Sequence, residues 1–180
     1  MSVLTRFLGK VAGDGIVVEP LRRRHLPAIM PIENSSYPKP WTLNVFNNEI
    51  EMMRRGERTY LVAREGASVV GYAGMMYAVD DAHVTNIAVA RDHQRRGVAT
   101  RLLAELAWAA VTRGSTAMTL EVRVSNVAAQ QLYQRFGFEA AGIRKNYYEN
   151  IEDAIVMWRH GIDGEEFRQV LRGLCPEAGR

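Results

Sequence analysis

Residues 86–100 read NIAVARDHQRRGVAT, and residues 119–138 read TLEVRVSNVAAQQLYQRFGF. The first stretch is a short apolar strand that passes through Gln94-Arg95-Arg96-Gly97-Val98-Ala99 into a helix. A helix start leaves main-chain N–H groups without intrahelical partners and carries partial positive charge. Both suit a diphosphate. Gly97 and Ala99 keep the turn small enough for close approach, Val98 points into the core, and Thr100 follows in the first turn. Arg95 and Arg96 add charge near the anion. Upstream, Ile87, Ala88 and Val89 can offer main-chain hydrogen bonds to an extended ligand arm, as an added strand would. Taken alone, Gln-x-x-Gly-x-Ala reads as a turn glycine among surface arginines. The strand before it, the amphipathic helix after it and the second stretch downstream favour the phosphate cradle.

The second stretch sets a carboxylate, an amide and a phenol along one strand–helix unit. Glu121 alternates away from Leu120 and Val122 and so leaves their buried face. By spacing alone it is a solvent-facing strand carboxylate. Asn126 is the N-cap of the helix that follows. Tyr133 stands beside Leu132 and Phe136 on that helix's apolar side, where a core tyrosine and a proton donor are both open readings.

Outward from these stretches, residues 16–19 read as a strand. Residues 21–34 carry a helical spacing of Leu26, Ile29 and Met30 that Pro27 and Pro31 complicate. Thr42 caps a helix over 43–54. Residues 60–64 and 68–77 form a hairpin around Glu65-Gly66, and 83–89 are a strand. Val98, Leu102, Leu106 and Ala110, with Leu103 and Ala107, mark one buried helical face that Gly114 stops. Residues 118–124 alternate as a strand, and Gly137 ends the next helix. Residues 138–143 and 154–158 are strands joined through Asn146-Tyr147-Tyr148, and residues 165–174 form a short terminal helix. No repeat, low-complexity tract or linker interrupts the 180 residues, so one α/β domain is expected.

The apolar share of 47% is enough for a core, and no apolar run reaches the ~20 residues that cross a bilayer. Residues 1–11 carry Arg6 and Lys10 but no long apolar stretch, so no signal peptide is expected. Cys175 is the single cysteine, which excludes an intrachain disulfide. His83 and His93 lack metal-ligand spacing, so no metal is expected. These features favour the cytoplasm. The net charge of +3 is mild, and no stripe of arginines and aromatics makes nucleic acid a primary ligand, so no direct nucleic-acid partner is expected. Arg22-Arg23-Arg24 reads as a solvated face.

Gln94 to Ala99 resembles the pyrophosphate motif of the GNAT superfamily of acetyl-coenzyme A-dependent N-acetyltransferases, with Ala99 where many members carry Gly. Asn86-Ile87-Ala88-Val89, residues 120–126, Leu132-Tyr133, Gly137-Phe138, residues 144–148 and Glu152-Asp153-Ala154 are similar to its RimI-type ribosomal-protein alanine N-acetyltransferases. Pro40-Trp41-Thr42 resembles their early Pro-Trp-Ser. The resemblance covers about residues 17–157. It implies a single GNAT-like domain over residues 1–180, a central mixed twisted sheet flanked by helices on both faces. The core would span about 16–160, with a short N-terminal arm and a C-terminal helical tail. It implies acetyl-CoA as the acetyl donor, Glu121 as proton acceptor, Tyr133 as proton donor to the departing thiolate, and Asn126 as a contact to the pantetheine amide. It also implies a protein N-terminus as acceptor, the N-terminal alanine of a small-subunit ribosomal protein.

A peptide α-amino group has a pKa of about 8, so a modest base suffices for direct attack in a ternary complex. Tyr147 and Tyr148 follow a strand and offer one wall of a peptide groove, with Glu33, Tyr37 and Trp41 opposite. Ordinary aromatic packing at loops is the plain alternative for each. Two other functions stay open. One is acetylation of a lysine or a small amine. The other is a non-catalytic acetyl-CoA-binding sensor.

Overall fold

β1 (Ile16–Pro20), β2 (Arg58–Glu65), β3 (Ser68–Ala78), β4 (Asp81–Val89), β5 (Ala117–Arg123), β6 (Glu139–Tyr148) and β7 (Glu152–His160) form one sheet in the computed structural model, which describes residues 15–179. The first residues, read above for a leader, lie outside the described ones. The strand order is β1-β2-β3-β4-β5-β7-β6. Every neighbouring pair is antiparallel except β4–β5, which runs parallel. A parallel pair needs a crossover, and α3 (Val98–Arg113) supplies it.

Alternation along β2 shows the layers. Leu61 and Ala63 pack into a core with α3 and α5 (Glu165–Leu174), while Tyr60 and Val62 pack into a second core with α1 (Leu26–Ser36) and α2 (Leu43–Arg54). All six apolar positions expected on the inner face of α3 are buried. Gly97 and Gly114 bracket that helix in left-handed conformations, φ 80° and 90°. Its buried Arg101 and Glu105 meet the chain end. Arg101 pairs with Glu177 at 3.4 Å, and Glu105 accepts the Gly179 N–H at 3.1 Å.

Most strand boundaries fall within a residue or two of expectation, and two elements differ by more. Residues 23–25 make a 3-10 turn, and α1 starts only at Leu26. Pro27 then sits in the first turn, where its missing N–H costs nothing. β6 continues through Asn146-Tyr147-Tyr148, and the turn falls at Glu149-Asn150-Ile151 instead.

One irregularity positions the site. Gly74 lies opposite Asn86, but Met75 lies opposite Val84, so Thr85 is an extra residue on β4. The parallel pairing ends at the same place, with Val84 opposite Leu120. Beyond it β4 runs on to Val89 and β5 to Arg123 without pairing to each other, and the two strands part. The Tyr60 hydroxyl bonds Thr85 Oγ1 at 3.0 Å and pins the bulge. Gly74 makes room for this. A Cβ there would run into the Tyr60 ring and stand 2.6 Å from Asn86 Oδ1.

Candidate active site

The opening between β4 and β5 leads into two adjoining cavities of about 340 and 510 Å³. Both are lined by Ile87, Val89, Gln94, Asn126 and Tyr133, so they form one continuous cleft.

The larger cavity ends at the start of α3, where Arg95, Gly97, Val98, Ala99 and Thr100 line it. The first intrahelical bond is Arg101 N–H to the Gly97 carbonyl at 3.0 Å, and among the described residues no side chain caps the N–H groups before it. Those donors and the helix dipole suit an anion. Arg95 and Gly97 are both left-handed, φ 61° and 80°, which curls the loop under it. A Cβ on Gly97 would meet nothing within 4 Å, so its role is conformational. Arg96 does not line the cavity. It turns away to an ion pair with Glu65, which also meets His93 Nε2 at 3.0 Å.

The middle of the cleft is an open strand edge. Ala90 N–H bonds the Val70 carbonyl at 2.9 Å. Antiparallel alternation then gives the main-chain bonds of Ala88 to Tyr72 and turns those of Ile87 and Val89 away from β3, toward the cleft. Accordingly, the Tyr37 hydroxyl donates to the Ile87 carbonyl at 3.1 Å, and Gln94 Nε2 donates to the Val89 carbonyl at 3.2 Å. Of the three residues expected to offer main-chain bonds, Ala88 is therefore spent on the sheet. Asn126 caps α4 (Val127–Arg135) by accepting the Ala129 N–H at 3.1 Å, and it lines both cavities.

The smaller cavity holds Glu121, Tyr133, Tyr37 and Tyr148 together. Glu121 is on the face away from Leu120 and Val122, as its alternation requires, yet its side chain is only 11% exposed. Oε2 lies 3.1 Å from His83 Nε2, and Oε1 lies 2.7 Å from Arg144 Nη1. The Tyr148 hydroxyl donates to the Glu121 carbonyl at 3.0 Å. Burial pushes the His83 imidazole below its ordinary range, against the pull of Glu121 and with the help of Arg144. Tyr133 is 8% exposed, its ring 6.0 Å from that of Phe138. Burial, and Tyr148 beside it, hold its phenol well above the usual value, so it stays protonated. Burial also raises Tyr148, to about 12.

The expected acceptor wall splits. Tyr37 and Tyr148 line the cleft, but Glu33, Trp41 and Tyr147 do not. Glu33 is 1% exposed, and its carboxylate accepts the Trp41 N–H at 2.7 Å and the Tyr72 hydroxyl. A buried carboxylate must be hydrogen-bonded to persist. Here it latches the α1–α2 loop to β3, with Trp41 packed edge-on to Phe46. Tyr147 lies on the surface under the Arg144 guanidinium, 4.3 Å from its ring centre. Sequence reasoning weighed His83 only as a metal ligand and gave Arg144 no role of its own, and both grip Glu121.

Residues 26–138 match the sequence profile of the Acetyltransferase (GNAT) family. The chain belongs to the GNAT acetyltransferase family. Among its curated GNAT relatives, a [ribosomal protein bS18]-alanine N-acetyltransferase of Salmonella typhimurium is 40% identical over 137 residues, 73% of this chain and 88% of that one. Its Escherichia coli counterpart is 36% identical over 145 residues, 78% of this chain and 94% of that one. The crystal structure of the ribosomal-protein-S18-alanine N-acetyltransferase from Escherichia coli superposes with a TM-score of 0.72 at 32% identity, covering 81% of this chain and 94% of that one. This GNAT protein is an acetyl-CoA-dependent acetyltransferase. The cleft fits that donor: uncapped amides of α3 for a diphosphate, and the open edge at Ile87 and Val89 for an extended arm.

Proposed function

We propose that this enzyme acetylates the α-amino group of an N-terminal alanine on a small-subunit ribosomal protein of the bS18 kind, by direct attack in a ternary complex. The observation that carries the reading is the convergence of Glu121 and Tyr133 on one cavity where β4 and β5 part. The names of the 36–40% identical relatives support the acceptor. A ribosomal-protein acceptor also supports a cytoplasmic setting, and no described helix is long and apolar enough to cross a membrane.

In this mechanism Gly97, Val98, Ala99 and Thr100 hold the diphosphate through their amides, with Arg95 beside it. Ile87, Val89 and Asn126 direct the pantetheine arm, and acetyl-CoA, once bound, supplies the activated acetyl carbon. Tyr37 and Tyr148 flank the incoming peptide end. Glu33 and Trp41 act at one remove, by holding the loop that carries Tyr37. Glu121 accepts the proton of the attacking amine, directly or through a water. An α-amine with a pKa of about 8 asks little of such a base. Tyr133 gives its proton to the departing sulfur, a transfer that needs the two held close because the phenol is the weaker acid. The catalytic unit is about residues 16–160, and α5 with the chain beyond it braces α3.

Mass spectrometry of a peptide panel incubated with acetyl-CoA tests the acceptor. Alanine-initiated peptides should be acetylated at the α-amine faster than peptides with other first residues or lysine side chains. Much faster turnover of free polyamines or aminoglycosides would overturn the assignment.

A further inference from the structure

Glu121 is gripped on both sides, and the two grips differ in kind. Arg144 Nη1, 2.7 Å from Oε1, is a fixed positive charge. His83 Nε2, 3.1 Å from Oε2, belongs to a ring that can both take and give a proton. A carboxylate oxygen bonded to a guanidinium is the poorer proton acceptor, so a proton collected by Glu121 settles on Oε2, which faces His83. His83 is reached because β4 and β5 are still paired at His83 and Thr119, one step before they part. Its side chain is 19% exposed, so the ring spans from the buried carboxylate to solvent.

We propose that His83 is the proton outlet of Glu121, carrying to solvent the proton that the carboxylate takes from the attacking amine. This rests on Glu121 being the base. The nitrogen loses a proton as its bond to the acetyl carbon forms, and Glu121 Oε2 collects it. In the Nδ1–H tautomer, whose Nε2 holds the lone pair, the Oε2–H bond then breaks as an Nε2–H bond forms, which restores the carboxylate and leaves an imidazolium beside it. The imidazolium sheds its Nδ1 proton to water, and exchange with solvent returns the starting tautomer. No electrons are gained or lost.

The charged groups facing the ring are Glu121 from β5 and Arg144 from β6, and β3 sets the uncharged Met76 opposite. Burial and Arg144 keep the resting imidazole neutral, ready to accept, and quick to release.

The test is kcat of the full chain with saturating acetyl-CoA and an alanine-initiated peptide, in dilute buffer. His83→Gln keeps a hydrogen-bonding amide beside Glu121 but passes no proton on. His83→Ala leaves space for an added imidazole. Both should lower kcat about tenfold with both KM values held within about twofold, short of the ~10²–10⁴-fold effect of a group that touches substrate. 4-Methylimidazole should restore His83→Ala saturably and leave the wild type unchanged. Wild-type kcat in His83→Gln, or a loss in His83→Ala that 4-methylimidazole does not restore, overturns the outlet. Glu121→Gln, measured in parallel, separates the two ideas. If it keeps wild-type kcat, the base itself falls. If it is inactive while His83→Gln is unimpaired, only the outlet falls.

Discussion

Replacing Tyr133 by Phe removes one oxygen and leaves the ring. The ring packs near Phe138, and among the described residues the hydroxyl has no hydrogen-bond partner to lose. Folding stability should therefore change by less than about 1 kcal/mol, or about 2–4 °C in Tm for a chain of this size. Catalysis should change far more. Losing a positioned proton donor costs ~10²–10⁴-fold, which is about 3–5 kcal/mol of transition-state stabilisation. The assay is thiol release from acetyl-CoA against an alanine-initiated peptide, with coenzyme A affinity measured separately by calorimetry. The expected result is a kcat loss of at least about 100-fold with coenzyme A binding nearly unchanged. A variant that turns over within about twofold of wild type would remove Tyr133 from the chemistry and leave it as packing.

Other consequences follow from the same geometry. Gly97→Val forces a branched side chain into a left-handed backbone at a cost of about 1–2 kcal/mol, so calorimetry should show weaker coenzyme A binding while the peptide KM holds. Gly74→Ala pushes Tyr60 off Thr85 and should lower stability by about 1–3 kcal/mol in a urea titration. The Cys175 thiol is pushed up to about 12, chiefly by burial and then by Glu177 beside it. A thiol whose folded pKa is raised favours the fold while protonated, so its contribution is complete below about pH 9 and is lost as pH climbs toward about 12. At pH 8 the folded chain should react with a thiol reagent much more slowly than the urea-unfolded chain, and equal rates would contradict this.

What the sequence made legible was what a single element decides. The inner face of α3 repeats every turn, Gly97 and Gly114 bracket it, and Asn126 caps α4 as its side chain requires. The bulge at Thr85 was not legible, because an extra residue is defined only by the register of the partner strand. The contact of His83 with Glu121 depends on the parallel pairing of β4 with β5, which no local pattern announces. β6 is exposed along nearly its whole length, so it shows no apolar alternation to mark where it ends. Arg96 was set beside the phosphate because its neighbours are there, but the β2–β3 hairpin brings Glu65 to it. Glu33 had a readable sign. It shares a helical face with Leu26 and Ile29, seven and four residues before it and both buried, and that phase points inward to Tyr72.

In the proposed reaction one cleft holds the donor along β4 and α3 and aims it at an amine between Glu121 and Tyr133. The most direct measurement is calorimetry with coenzyme A joined through its acetyl group to the α-nitrogen of an alanine-initiated peptide. The conjugate should bind at least about 100-fold tighter than coenzyme A alone, since both halves engage at once. A conjugate that binds no tighter than coenzyme A would mean that the two halves do not share one cleft.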